Sequence, residues 1–412
     1  MKDLYIKILL GILIIVSCSK DSDEMIDQSS SQVYQQTESS NSSNTSSSGN
    51  TSSGNTSTNT STNTSSQSET FDRGTILSNY SENIIIPRYN DFKAELDNLE
   101  IAVDNFTQTP NSSNFDQLHE KWLNTYKKWQ YVEMFNIGMA EEIMYFNTIN
   151  TYPVDEQRIK ENISSQKFNL RNSNDWSCQG LSGVDYMLHG LGISKEEVIQ
   201  QYKDDSNYGN YLKNLLTIMT SNTADIIQDW STYKSTFTGS SGNSNTSSLN
   251  MLTNDFIYYF EKGLRTNKIA IPVGYFSGGN PFPEKIEAYY SSKNSFEDVS
   301  KVLAKEALTA SESLFIGKSS SGSVGASLKT YLDYLHSADV NKDNLSPIIV
   351  TNFQKAHQSL DELNENFIDQ INDDKSKMLN TFDKLQALVV NMKTNMLSIL
   401  SIQVDYIDAD GD

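Results

Sequence analysis

The chain has 412 residues, a formal net charge of −20 and hydrophobic side chains at 37% of its positions. This acidic balance argues against nucleic acid or an anionic lipid surface as a binding partner. Its two cysteines, Cys18 and Cys178, are too few for a cysteine-based metal cluster. They could form one intrachain disulfide only if Cys18 is unmodified.

The N-terminus has the pattern of a secretory signal. A short apolar run at residues 8–16 follows two lysines and ends at Ser17 and Cys18. The run is too short to span a bilayer, so we predict a signal peptide over residues 1–17. Residues 15–18 resemble a bacterial lipobox, which predicts lipidation of Cys18 and attachment to a membrane. The alternative is an ordinary signal peptide that is cut elsewhere.

A long polar tract separates the N-terminus from the rest of the chain. Residues 19–24 are mainly acidic and resemble the export tag of bacterial surface lipoproteins. Residues 28–68 are almost wholly Ser, Thr, Asn, Gln and Gly, which cannot bury enough apolar area to offset their ordering entropy. We therefore predict that residues 18–68 form a lipidated, disordered tether. The predicted location is the outer membrane, with the folded part exposed at the cell surface.

Two amphipathic helices open the folded part. Apolar residues from Tyr89 to Phe106 recur at steps of three and four, and Pro87 just before them predicts either a kinked helix or two helices joined there. A second stripe runs from Phe115 to Trp129 and is continued by Glu133. Glu133 therefore either turns to solvent or is a buried carboxylate directed at a site.

The helical period continues to the C-terminus. The pattern predicts helices near 208–237, 256–271 and 294–314, loops at 277–283 and 319–323, and a long bundle helix with an apolar seam from Met378 to Ile399. No alternating strand pattern has comparable strength. We predict an all-α fold of two tandem helical bundles of the duplicated four-helix type, at 69–238 and 251–412, joined by a linker at 239–250.

The most informative stretch is Gly180–Gly190, an apolar segment bracketed by glycines. Its polar residues Ser182, Asp185 and His189 are spaced so that they share one face of a helix. A buried carboxylate without a partner is costly. Asp185 must therefore have either a structural partner or a ligand.

Common catalytic motifs are missing from the sequence. The pair His119-Glu120 lacks the second histidine of a zinc-protease motif, and no phosphate-binding loop or hydrolase elbow occurs. Ser182 and His189 on one helix face do not suit a hydrolytic triad. The four histidines, at positions 119, 189, 336 and 357, are scattered, and of these only His189 has neighbours that favour a ligand role.

Several segments together resemble the imelysin family, helical proteins of bacterial envelopes once classed as metallopeptidases. The matching segments are Ile85–Phe92, Trp122–Gly138, Tyr152–Asp155, Lys285–Ser291, Leu314–Gly317 and Asp408–Asp412. The family hallmark Gly-x-His-x-x-Glu, proposed to bind metal, aligns on Gly180–Asp185. Ser182 stands at its histidine position and Asp185 at its glutamate position. A serine hydroxyl is a poor zinc ligand, so the expected metal chemistry is altered.

The resemblance implies a motif near a groove between two bundles and a role in iron-linked nutrient uptake through binding. We predict a non-catalytic, surface-anchored binding lipoprotein with Ser182, Asp185, Glu133 and Glu287 at the ligand site. Asp185, His189 and Glu133 are the candidate ligands if the site holds an iron, calcium or zinc ion. An iron-uptake or other envelope protein is the expected partner. The alternatives are a metallopeptidase of the imelysin type and an envelope scaffold that binds a protein partner.

Overall fold

The protein is all-α. A computed structural model describes residues 71–294, 299–341 and 344–406. The regular structure of these ranges is helical, apart from an isolated antiparallel bridge between Lys318 and Val324. This confirms the predicted fold class. None of the helices in this part of the chain is both long and apolar enough to cross a membrane.

Several predictions fall outside the described residues. These are the signal peptide at 1–17, lipidation of Cys18, the tether up to residue 68, and the matching terminal segment Asp408–Asp412. Residues Phe71–Asp405 form one compact unit. The division of this unit into two bundles, at 69–238 and 251–412, stays a prediction.

The first part of the fold runs to the predicted linker. Its helices are α1 (Arg73–Asn79), α2 (Ile86–Gln108), α3 (Ser112–Trp129), α4 (Met139–Glu142), α5 (Tyr145–Ile149), α6 (Glu156–Ser165), α7 (Gly180–Asp185), α8 (Lys195–Asp204) and α9 (Ser206–Gly239). Two π-helical turns, Tyr80–Ile85 and Tyr186–Gly190, and a 3₁₀ turn, Ser173–Cys178, complete it. The long helix α2 packs against both α3 and α9 and lies between them.

The second part begins at Ser248, and eight residues separate it from the end of α9. Its helices are α10 (Ser248–Tyr258), α11 (Ile271–Val273), α12 (Tyr289–Lys293), α13 (Ser300–Ile316), α14 (Leu328–Ala338), α15 (Leu345–Asp361), α16 (Phe367–Val389) and α17 (Leu397–Leu400). It also has π-helical turns at Tyr259–Ala270 and Val390–Met396, and 3₁₀ turns at Tyr275–Ser277 and Pro283–Lys285. The helix predicted from residue 294 begins later, at Ser300.

The predicted kink at Pro87 takes the form of a π-helical turn. Residues Tyr80–Ile85 lead into α2 without leaving helical backbone angles, and Pro87 lies in the first turn of α2. Pro87 has no N–H to continue the hydrogen-bond ladder, and the N–H of Ile86 beside it bonds five residues back, to the carbonyl oxygen of Ser81. The wider π turn makes room for the proline ring, so the two helices join without a sharp break.

The seam of the last long helix follows the predicted spacing until a π turn changes its register. Met378, Phe382 and Met392 are at most 3% exposed. The predicted seam residue Ile399 is only half-buried, whereas Leu400 is 2% exposed. The π turn Val390–Met396 has more residues per turn than an α-helix, which rotates the faces that follow it.

The start of the described chain is fastened to a segment far along the sequence. The hydroxyl of Tyr80 donates to the carbonyl oxygen of Leu314 at 3.0 Å and accepts the N–H of Leu328 at 3.0 Å. The amide of Asn79 donates to the carbonyl oxygen of Ala326 at 2.9 Å. Both side chains are buried, so these bonds are shielded from competing water.

Candidate functional site

The stretch Gly180–Gly190 folds as α7 followed by a π turn, and the glycines at its two ends lie at close approaches. Gly180 has φ +74°, and a Cβ there would lie 2.2 Å from the carbonyl oxygen of Ile149. At Gly190 a Cβ would lie 2.3 Å from the ring of Tyr186. Larger residues would push α7 away from the segment before it.

Ser182 serves as a hydrogen-bond donor to the main chain. Its hydroxyl donates to the carbonyl oxygen of Thr151 at 2.6 Å, and the residue is 3% exposed. This bond ties α7 to the segment that carries Tyr152 and Pro153. The hydroxyl proton is therefore already engaged by the protein.

Asp185 has three donors around its carboxylate. Oδ2 accepts the N–H of Tyr290 at 2.8 Å, and Oδ1 accepts the N–H of Ser291 at 3.1 Å. Both N–H groups belong to the first turn of α12, where such groups have no partner in their own helix. The third donor is His189, whose Nδ1 lies 2.7 Å from Oδ1 of Asp185. At 1% exposure, the carboxylate depends on these donors instead of water.

His189 extends this chain of bonds to a second histidine. Its Nε2 lies 2.8 Å from Nδ1 of His119. If Nδ1 of a neutral His189 donates to Asp185, its Nε2 is an acceptor, and His119 is then the donor. Burial lowers the pKa of His189, and the bond to Asp185 opposes this only in part. The imidazole is therefore neutral near pH 7, and we call the row His119–His189–Asp185 the histidine chain.

A separate buried cluster surrounds Lys268. Its Nζ lies 2.7 Å from Oε2 of Glu287 and 3.3 Å from Oε2 of Glu133. Nδ2 of Asn150 donates to Oε1 of Glu287 at 2.8 Å and to Oε1 of Glu133 at 3.1 Å. The hydroxyl of Tyr126 donates to Oδ1 of Asn150 at 2.6 Å. We call Glu133, Glu287, Lys268 and Asn150 the lysine cluster.

The lysine cluster contains two carboxyl groups for one ammonium. Burial raises the pKa of Glu133, with Lys268 opposing the shift and Glu287 adding to it. Burial alone would lower the pKa of Lys268, but the two carboxylates outweigh it and the net shift is upward. Lys268 is therefore charged, and the raised pKa of Glu133 favours the protonated form of that carboxyl group.

The structure brings some of the predicted site residues together and separates others. Ser182 and Asp185 line a small cleft with Tyr152, Glu284 and Tyr290, whose volume of about 10 Å³ is that of one water molecule. Asp185 and His189 are paired as their spacing indicated. Glu133 is buried, at 6% exposure, and with Glu287 it faces Lys268 instead of this cleft.

These residues do not fit a metal ion as they stand. The Glu133 and Glu287 carboxylates already contact an ammonium, and Asp185 already accepts two N–H groups. Within the described ranges, no group of three or more His, Cys, Asp or Glu side chains is arranged to hold a metal. Metal binding by Asp185, His189 and Glu133 stays a prediction.

Sequence reasoning missed His119, Lys268 and Asn150. His119 lies 70 residues before its partner, and Asn150 lies 137 residues before Glu287, so no local spacing connects them. Lys268 left no such signal either, because it follows the polar residues Arg265, Thr266 and Asn267 and reads as part of a polar segment.

The all-α fold and the stretch Gly180–Asp185, which has Ser182 where the family motif has histidine, point to one family of helical proteins. The family profile described as Imelysin matches residues 85–392, which is more than half of the 412-residue chain. The chain therefore belongs to the imelysin family.

Two solved structures share the fold. An imelysin-like protein from Psychrobacter arcticum 273-4 has a TM-score of 0.62 and 18% identity, and the match covers 81% of this chain and 96% of that one. A candidate iron-regulated protein A precursor from Parabacteroides distasonis ATCC 8503 has a TM-score of 0.65 and 15% identity. That match covers 82% of this chain and 97% of the other. At these identities the likeness concerns the fold alone.

One curated relative matches over a short region. Iron-regulated protein A from Synechococcus elongatus is 22% identical over 94 residues, which is 23% of this chain. The match spans only 26% of that relative's own length.

Proposed function

We propose that this protein is a non-catalytic binding protein that acts in iron-linked nutrient uptake. One observation carries the non-catalytic part: the polar groups at the motif are already used by the protein. Ser182 donates to a carbonyl oxygen, Asp185 accepts two N–H groups, and His189 lies between two side chains. A hydrolase needs a base and a nucleophile or metal-bound water that can reach the substrate.

The iron link rests on the relatives. Two of the similar proteins carry the name iron-regulated protein A, one of them as a precursor form. Their names refer to regulation by iron, and a precursor is consistent with an exported or envelope protein. We propose that this chain likewise works in the envelope, attached through Cys18, and passes its ligand to an uptake protein.

The cleft beside Ser182 and Asp185 is our candidate for the ligand site. It lies between the segment at Tyr152 and the segment that leads into α12 at Tyr290. In the present conformation it is no larger than a water molecule. We infer that a ligand enters by moving these two segments apart, so that Asp185 exchanges the N–H groups of α12 for groups of the ligand or a partner.

The test has two arms on the purified mature chain. In the first, labelled peptides and casein are incubated with chelator-treated protein, with and without added Zn²⁺. We expect no cleavage in either case, and zinc-dependent cleavage would establish the metallopeptidase instead. In the second, the protein is mixed with ferric citrate or haem, passed over a desalting column, and analysed for retained iron by mass spectrometry.

We expect the protein to retain iron in the form in which it was added, as ferric citrate or as haem. We expect the Tyr290→Ala variant to retain a different amount. The control variant Tyr275→Ala removes an exposed tyrosine outside the cleft and should have no effect. Failure to retain either iron species would contradict the iron-linked part of the proposal.

A further inference from the structure

A large open cleft lies apart from the motif. It has a volume of about 800 Å³, within the range of roughly 300–1,000 Å³ that is usual for small-molecule sites. Helix α9 lines it with Asp225 and Asp229, and the chain before and within the 3₁₀ turn Ser173–Cys178 contributes Arg171 and Trp176. It shares no lining residue with the small cleft beside Ser182.

Trp176 gives this cleft a flat apolar surface. The other three tryptophans of the chain are at most 2% exposed, whereas Trp176 is half-buried. Within the described ranges, Trp176 stacks on no other ring and its N–H has no hydrogen-bond partner. Its indole face and its N–H are therefore available to a ligand.

The charged residues of the cleft are also available. Asp225 and Asp229 are one helical turn apart on α9, and in the part of the chain that the structure describes neither forms an ion pair. Arg171 likewise pairs with no described carboxylate. Asn222 is 7% exposed, and Nδ2 of its side-chain amide donates to Oγ1 of Thr148 at 3.4 Å. The side-chain oxygen Oδ1 of Asn222 has no hydrogen-bond partner among the described residues.

The balance of these groups decides the kind of ligand. An anionic ligand would be repelled by the two aspartates, and a cationic ligand would be attracted by them but repelled by Arg171. A neutral ligand with many hydroxyls meets no such penalty. Each hydroxyl both donates and accepts, so it can bond to a carboxylate, a guanidinium or an amide.

We propose that this cleft is a second binding site, independent of the function proposed above, and that it takes a neutral oligosaccharide. The C–H face of one sugar ring packs on the indole of Trp176. Its vicinal hydroxyls donate to Asp225 and Asp229 and accept from Arg171. The volume suits roughly two to four sugar rings.

The experiment uses the mature chain and the neutral trisaccharides maltotriose, cellotriose, mannotriose and triacetylchitotriose. Titration calorimetry measures affinity, and quenching of tryptophan fluorescence by acrylamide reports the site directly, because Trp176 is the accessible tryptophan. We expect at least one trisaccharide to bind and to protect Trp176 from acrylamide. Trp176→Ala should weaken that binding roughly tenfold or more.

A second variant keeps the proposal testable if Trp176→Ala disturbs folding. The double variant, Asp225→Asn with Asp229→Asn, keeps the side-chain shape at two surface positions. It should weaken trisaccharide binding by a similar factor. The matched control Glu100→Gln removes a carboxylate from α2, outside the cleft, and should leave affinity unchanged. Melting curves check that each variant is folded.

The proposal fails if no trisaccharide binds at millimolar concentration, or if binding is unchanged in a folded Trp176→Ala or aspartate variant. Trialanine and spermidine are tested alongside. Binding of trialanine in preference to the sugars would assign the cleft to peptides, and binding of spermidine would assign it to cations. Either result overturns the oligosaccharide assignment.

Discussion

The histidine chain and the lysine cluster both bury carboxylates, but they stabilise them in different ways. Asp185 is held by hydrogen bonds from a neutral imidazole and two N–H groups. Glu133 and Glu287 are held by the ammonium of Lys268 and the amide of Asn150. The first arrangement uses hydrogen bonds without a cation, whereas the second sets one ammonium against two carboxyl groups. Loss of a hydrogen-bond acceptor should therefore affect the first, and loss of the cation the second.

The largest effect is expected from removing the cation of the lysine cluster. Lys268→Met leaves two carboxyl groups buried without a counter-charge, which typically costs about 3–5 kcal/mol. Urea unfolding should show this loss. The control Lys234→Met removes an exposed ion pair with Glu82 and should cost less than about 1 kcal/mol. Equal losses in the two variants would contradict the role of Lys268 as the counter-charge of the two buried carboxyl groups.

A smaller loss is expected at the histidine chain. Asp185→Asn preserves size but replaces one accepting oxygen by an NH₂ group that faces the N–H groups of α12. We expect a loss of about 2 kcal/mol in the free energy of unfolding. Asp116→Asn, at an exposed ion pair with Lys195, is the control and should change little. A stable Asp185→Asn variant would show that α12 does not depend on this carboxylate.

The two regions should respond to pH in opposite directions. The pKa of His189 is lowered in the folded state, so its contribution to folding stability is complete above the ordinary value of 6.5. This contribution is lost as the pH falls, because the unfolded state then binds more protons than the folded state. The raised pKa of Glu133 has the opposite sign, since above 4.5 the folded state binds more protons and stability falls as pH rises. Each group changes stability by at most about 1.4 kcal/mol per pH unit.

Urea unfolding between about pH 5 and pH 7 tests this difference in sign. His189→Gln should lose less stability on acidification than the wild type, and Glu133→Gln should lose more. His357→Gln is a matched control, because His357 also contacts a carboxylate, Oε2 of Glu312 at 3.0 Å, but is only half-buried. Identical pH slopes in wild type and His189→Gln would contradict the assignment of a neutral buried imidazole.

The smallest effect is expected at the position where the family motif has histidine. Ser182→Ala removes one hydrogen bond to the carbonyl oxygen of Thr151 and should cost about 1 kcal/mol. Thermal unfolding measures the shift, with Ser164→Ala as a control at an exposed serine on α6. A much larger loss would indicate that the longer contact of the same hydroxyl with the carbonyl oxygen of Gln179, at 3.4 Å, also contributes to stability.

The sequence was sufficient for the fold class because each long helix carries a continuous apolar stripe. The stripes at 89–106 and 115–129 lie within α2 and α3, and the seam from Met378 begins in α16 and continues into the π turn Val390–Met396. The pairing of Asp185 with His189 was also predictable, since both lie on neighbouring turns. Register changes at the π turns were not, because apolar spacing does not reveal where a helix widens.

The partners of the site residues could not be derived in the same way. Glu133 could be solvent-facing or buried, and the choice depended on Lys268, which comes from a π turn 135 positions later. The altered motif suggested a changed metal site, but not that each of its polar groups would be bonded to the protein. Such contacts depend on how distant helices pack, which one sequence without its relatives does not specify.

The bonds from Asn79 and Tyr80 to the segment 314–328 have a consequence for folding. Both side chains lie near the start of the described chain, while their partners lie 234 to 248 residues later. Contacts of such sequence separation form late, because a long loop must close first. The N-terminal helix α1 therefore stays without its final partners until synthesis has passed residue 328.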